Sequence, residues 1–166
     1  MINPDKDFHL SPHFTFFEMT KTEHRDLLEL NRKEAVNYLD NLKFLCNEVL
    51  EPLRSFIGKP LFITSGFRCH LLNAKIGGSP HSYHMKGLAA DFVLPYTTKE
   101  ELFEVFNEIA LRKPVLFDQL IFEKATWIHI GVRTDLEGNN RFQALTYNGH
   151  SYDLYTPKSS LGVANV

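Results

Sequence analysis

The chain has 166 residues, 43% of them hydrophobic and 23% charged, with 18 basic against 20 acidic side chains. That length fits a single domain, residues 1–166, with a sizeable core, and a formal charge of −2 gives no electrostatic reason to expect nucleic acid or an anionic membrane surface as partner. No stretch approaches the roughly 20 apolar residues of a transmembrane helix, and residues 1–14 lack the apolar region and cleavage site of a secretory signal. The expectation is synthesis in the cytoplasm without a signal peptide; a substrate outside the cell then requires separate release.

Residues 1–13 read as an irregular arm. Thr15 followed by Glu18 fits a capping box, opening a short helix at 16–19. Residues 20–33 are polar and without clear period. Over 33–56, Val36, Leu39, Leu42, Cys46, Val49, Leu50 and Leu53 recur mostly at three- and four-residue steps, which predicts a helix. Pro52 kinks or divides it, and Gly58 stops it. A strand follows at 61–64. Residues 65–88 contain Gly66, Gly77, Gly78, Pro80 and Gly87 and read as a long loop. Loops of that length are usually functional or disordered, and the apolar strands on either side favour function.

Residues 89–94 read as a buried strand. Thr97 and Thr98 with Glu100 and Glu101 open a helix to about residue 111. Two strands, 119–123 and 127–132, are joined by three residues, and Asn148-Gly149 marks a hairpin between 144–147 and 151–155. The last ten residues read as a tail, so 134–166 is a C-terminal hairpin and tail. Helices first, then strands with one inserted helix, imply an α+β fold with a mainly antiparallel sheet. The two cysteines, Cys46 and Cys69, make no disulfide framework. Cys46 falls in the apolar helical stripe and reads as buried and inert.

Three residues draw chemical interest. Asp91 lies within Ala-Ala-Asp-Phe-Val-Leu, where an ionised carboxylate is costly unless paired or metal-bound. His129 lies within Trp-Ile-His-Ile-Gly-Val. Alternation sends Ile128, Ile130 and Val132 to the core, and leaves His129 with Trp127 and Gly131 on the other face. His84 sits in the Gly-rich segment. Each has a plain alternative: a buried ion pair, a satisfied structural histidine, a surface histidine. Together they supply two imidazoles and a carboxylate, the ligand count of a catalytic zinc site with one position open for water.

Such a site needs a base. With a three-residue loop at 124–126, Glu123 pairs with Trp127 and lies on the His129 face, displaced diagonally by roughly 7–8 Å. Arg68 follows the strand at 61–64 and is placed to hold a carbonyl or oxyanion, its alternative being a structural ion pair. Ser82, Tyr83 and Trp127 are candidates for substrate contact, Ser82 also for supporting a ligand.

Ser82-x-His84-x-x-Gly87-x-Ala89-x-Asp91 with Trp127-x-His129 resembles the zinc D-Ala-D-Ala carboxypeptidase family, which includes phage endolysins that cut the peptide part of peptidoglycan. Further phrases match a phage and bacterial branch: Ser-Pro-His-Phe (11–14), Val-Leu-Glu-Pro-Leu-Arg (49–54), Ile-Thr-Ser-Gly-Phe-Arg (63–68), Leu-Asn (72–73), Ile-Gly-Gly-Ser (76–79) and Asp-Gln-Leu-Ile (118–121). The likeness spans roughly residues 10–133. It implies zinc on His84, Asp91 and His129, an Arg68 that binds the substrate carbonyl, and the small α+β architecture shared with hedgehog domains. Many relatives carry the catalytic acid three residues before the final His. Thr126 stands there, and the nearest acid is Glu123.

The function implied is a zinc metallopeptidase, either a D,D-carboxypeptidase or an endopeptidase, hydrolysing the D-amino-acid-containing peptide of peptidoglycan by attack of a zinc-bound water. A monomer is expected. A non-catalytic zinc-binding module of hedgehog type is the second reading. A cysteine hydrolase built on Cys69, His84 and Asp91 is the third.

Overall fold

Residues 16–57 are mostly helical in a computed structural model that describes residues 3–134 and 138–159. Thr15 caps α1 (Phe16–Thr20), its Oγ1 accepting from the Glu18 N–H at 3.2 Å. The predicted helix over 33–56 begins earlier and is subdivided. It comprises α2 (Leu28–Ala35), a 3₁₀ turn (Val36–Tyr38), α3 (Leu39–Phe44), a π-helical turn (Leu45–Leu50) and α4 (Glu51–Ile57). Pro52 has no N–H to donate, and the wide π turn just before it shifts the hydrogen-bond register there. The apolar stripe holds: Leu42, Cys46, Val49, Leu50 and Leu53 are fully buried. Gly58 ends α4 at φ 71°, as a left-handed C-cap.

Residues 20–33, patternless in sequence, supply most of α2 because one polar residue there faces inward. Asn31 is fully buried. Its Nδ2 donates to the Thr20 and Phe67 carbonyls at 2.9 and 3.0 Å, and its Oδ1 accepts from the Cys69 N–H at 2.7 Å. This one amide ties α1 and α2 to the segment after β1 (Phe62–Ser65).

The segment read as a loop over 65–88 holds α5 (His70–Lys75) and a 3₁₀ turn (Tyr83–Lys86), so more than one helix interrupts the strands. Both are too short to show a periodic apolar pattern. The later helix, α6 (Lys99–Arg112), starts on a complete capping box between Thr98 and Glu101.

The remaining strands are β2 (Ala89–Val93), β3 (Gln119–Glu123), β4 (Trp127–Gly131), β5 (Gln143–Tyr147) and β6 (Tyr152–Leu154). They form one sheet in the order β1-β2-β4-β3-β5-β6. Every neighbouring pair is antiparallel except β3 with β5, which is parallel. The fold is therefore α+β with a mainly antiparallel sheet. One sheet face carries Ala90, Phe92, Leu120, Phe122, Ile128 and Ile130 into the core, where the Phe106 ring of α6 meets Phe122 at 5.7 Å. The opposite face carries Asp91, Ile121, Glu123 and His129.

The arm is irregular but anchored. Ser11 Oγ donates to Glu51 at 2.7 Å, and the His13 N–H also reaches Glu51 at 2.7 Å. The predicted tail is held at its start, where Lys158 and the Asn107 side chain exchange two hydrogen bonds of 2.9 Å. Residues 1–2 of the arm and 160–166 of the tail lie outside the described residues. Among the described residues no helix is long and apolar enough to cross a membrane.

Replacing Asn31 by Ala strands two carbonyls and one N–H in the interior. Chemical denaturation should show a loss of roughly 3 kcal/mol, with residual packing of α2 unaffected if the amide's bonds, rather than its volume, carry the effect.

Candidate metal centre

The backbone brings the three predicted ligands together by different routes. Asp91 on β2 is the cross-strand partner of His129 on β4. His84 arrives from the 3₁₀ turn, capped at its N-terminus by Ser82, whose Oγ accepts from the His84 N–H at 3.3 Å. Gly87 closes the turn at φ 68°, a conformation that favours glycine. All three side chains are buried.

Their polar atoms converge. His129 Nδ1 lies 2.7 Å from Asp91 Oδ1, and His84 Nε2 lies 3.2 Å from both. His84 Nδ1 sits 2.6 Å from the Gly66 carbonyl oxygen. That oxygen can only accept, so Nδ1 must be the donor, and in the neutral ring Nε2 carries no proton. Burial pushes His84 below its ordinary range and so favours that neutral ring. Burial alone would raise Asp91, but its polar neighbours, the His129 hydrogen bond among them, outweigh it and hold the carboxyl well below the usual carboxylate range. A bare imidazole nitrogen thus faces a carboxylate oxygen at 3.2 Å, with a second imidazole nitrogen beside both.

Two acceptors at that distance repel unless a cation or proton lies between them. Tetrahedral zinc, with ligand bonds of about 2.0–2.1 Å, sets its donor atoms about 3.3 Å apart. The two spacings from His84 Nε2 match that value, the 2.7 Å between His129 Nδ1 and Asp91 Oδ1 is shorter, and the donor set fits a metal ion. The backbone carbonyl that fixes the His84 tautomer is the outer partner that metal-binding histidines ordinarily have.

Gly66 is needed for that contact. A Cβ there would lie 2.3 Å from the Met19 carbonyl oxygen, where Phe67 N–H already donates at 2.7 Å. Gly131 leaves comparable room on the other side, since a Cβ would lie 3.3 Å from His129 Nε2 and 3.1 Å from the Tyr83 ring.

Arg68 is placed on Asp91. Its Nη2 donates to Asp91 Oδ2, the oxygen facing away from the histidines, and its Nε donates to Ser65 Oγ at 2.8 Å. The ion-pair alternative is thus realised, while the side chain still borders the open cleft. Glu123 pairs with Trp127 and Ile121 with His129, as the three-residue loop predicts. Burial raises the Glu123 carboxyl above its ordinary range, against the lowering influence of His129. Thr126 lies exposed in the turn, bonded to the Lys124 carbonyl at 2.9 Å.

A cleft of about 420 Å³ opens over the three ligands. It is lined by Arg68, Glu123, Ser82, Tyr83 and Trp127, all named from sequence, and by Tyr147 and Tyr152, which were not. Tyr83 is less free than expected. Its hydroxyl donates to Asp118 Oδ2 at 3.2 Å and accepts from Arg133 Nε at 2.9 Å. Asp118, with no exposed side-chain surface, also binds Arg133 and Arg141. It thereby fixes the Tyr83 ring beside His129 and joins both ends of the connection from β4 to β5. Its place in the Asp-Gln-Leu-Ile phrase was the available signal; its partners are distant in sequence.

The model for the Peptidase M15 family matches residues 12–131. The chain belongs to this family, in agreement with the resemblance its motifs carry. No curated protein matches it.

Two outcomes follow. Equilibrium dialysis against zinc should give one ion per chain, and His84→Ala or His129→Ala should remove it. Burial would raise Asp118, but its hydrogen bonds and charge pairing with Arg141 and Arg133 hold it below the ordinary carboxylate range. A depressed folded-state value stabilises above the unfolded value and is lost below it. The unfolding free energies of the wild type and Asp118→Asn should therefore differ most at neutral pH, and converge as pH falls below about 4.

Proposed function

We infer that the protein is a zinc metallopeptidase that hydrolyses the D-amino-acid-containing peptide of bacterial peptidoglycan. The observation that carries this reading is the buried triangle of His84, Asp91 and His129, whose polar atoms converge at the floor of a cleft that also holds an acid. Peptidases of this family are zinc-dependent, and the two imidazoles and one carboxylate are the donors such an ion takes. A bound zinc ion supplies Lewis-acid polarisation of the scissile carbonyl and a water of lowered pKa.

The chain's own residues do the rest. Glu123, displaced by one step of the sheet from the ligands, accepts the proton of the attacking water and returns it to the leaving amine. Its raised carboxyl suits a group that must both take and give a proton near neutral pH. Arg68 occupies the outer oxygen of Asp91 and presents its cationic edge to the substrate carbonyl. Ser82 keeps the His84 turn in place. Tyr83 and Trp127 flank the peptide. The architecture is that shared by D-Ala-D-Ala carboxypeptidases and hedgehog domains, and the wall peptide is reached after the protein leaves the cytoplasm.

A non-catalytic metal module would have no use for a half-buried acid over the metal floor, which favours the enzyme. Cys69 is buried, with its N–H committed to Asn31, and it does not border the cleft, so a cysteine nucleophile finds no support.

Purified peptidoglycan digested with the zinc-loaded protein should release peptide fragments identifiable by mass, and a chelator should stop their release. Glu123→Gln should lower kcat by about 10²- to 10⁴-fold while still binding one zinc. Unchanged activity in that variant would remove Glu123 as the base, and absence of fragments from the wild type would remove the peptidase reading.

A further inference from the structure

One row of the sheet sets three aromatic side chains beside Glu123. Trp127 on β4 pairs with Glu123 on β3, Glu123 with Tyr147 on β5, and Tyr147 with Tyr152 on β6. The adjacent row on the same face, two residues along each strand, holds Asp91, His129 and Ile121. The aromatic row therefore runs alongside the metal ligands, and all four of its members border the same cleft.

The outer end of the row is built rather than incidental. Tyr147 and Tyr152 stack with ring centroids 4.3 Å apart and planes at 22°. Lys124 secures the row from the turn below, its N–H donating to the Tyr147 carbonyl at 2.7 Å. Trp127 Nε1 is buried and has no hydrogen-bond partner among the described residues. Tyr152 itself is 56% exposed on a three-residue edge strand, so it contributes little to the core. Partial burial and the negative charge of Glu123 push its hydroxyl above the ordinary range, which keeps it a neutral hydrogen-bond donor. Both tyrosines lie beyond residues 12–131, the part matched by the family model.

The geometry points to Tyr152 as a specificity-determining residue: stacked on Tyr147, it forms an aromatic wall that packs against the wall peptide and donates a hydrogen bond to it on the Glu123 side of the metal floor. This rests on the reading of the cleft as a site for peptidoglycan peptide.

Trp127 is the chain's single tryptophan and lies in the cleft, so its fluorescence reports occupancy without turnover. Soluble muropeptides titrated into the zinc-loaded protein should change the wild-type emission saturably. Tyr152→Phe, which keeps the stack and removes only the hydroxyl, should weaken binding about fivefold. Tyr152→Ala should weaken it about tenfold or more. Both should raise KM for fragment release more than they lower kcat. Tyr96→Ala, a fully exposed tyrosine outside the cleft, should match the wild type, and the Phe variant should keep the wild-type melting temperature. If the wild type binds and cleaves while both Tyr152 variants match it in Kd and KM, the aromatic wall is refuted and the peptidase reading stands. If the wild type neither binds nor cleaves, both fall.

Discussion

Two imidazole nitrogens and a carboxylate oxygen, all buried and within 3.2 Å of one another, are the constraint on which the site depends. Apolar packing on the far side of the sheet fixes Asp91 and His129 on adjacent strands, and the Gly66 carbonyl fixes which nitrogen His84 offers. The bare Nε2 of His84 facing the Asp91 carboxylate in the interior costs free energy that a cation or a proton between them offsets. Much of the surrounding structure is arranged so that these atoms keep their positions. Arg68 occupies the outer oxygen of Asp91, Ser82 caps the turn that carries His84, and Gly131 keeps space beside the His129 ring.

The motif phrases, scattered along the chain, turn out to be partners. Ser11 and His13 of the first phrase bind Glu51 of the second. Asn73 reaches the Ser79 carbonyl and thereby holds the Ile-Gly-Gly-Ser segment against α5. Asn31 gathers α1, α2 and the Arg68 segment, and Asp118 gathers Tyr83 and the β4–β5 connection. Each hub is a polar side chain that satisfies several backbone or charged groups at once, so substitution would leave several orphans rather than one. Two loops that carry chemistry are thus anchored at points remote from the chemistry itself.

The elements that residue type alone decides were legible in the sequence. Alternation around His129 separates core from cleft, the stripe from Leu42 to Leu53 marks the helical core, and the three residues between Glu123 and Trp127 set the register of that hairpin. What the sequence could not convey depends on contacts between distant segments. α5 is shorter than any periodic pattern can reveal. The parallel pairing of β3 with β5 has no local signature, yet it alone puts Tyr147 next to Glu123. Asn31 and Asp118 look like ordinary polar residues until the segments they join are brought together. Arg68 was expected to serve substrate, and its contact with Asp91 follows from the β1–β2 pairing, which residue spacing does not disclose.

The three-residue turn between β3 and β4 has a consequence for how such sites vary. A strand alternates its faces, so position 126, three residues before His129, would not share the cleft face of that histidine in a regular strand. Position 126 is a threonine in the turn, and the acid on the His129 face is Glu123, on the neighbouring strand. The turn sets Glu123 opposite Trp127, two residues before His129, and so on the cleft side of the sheet. Acid and histidine thus reach one face from two strands, and the length of the turn between them decides how far apart they stand.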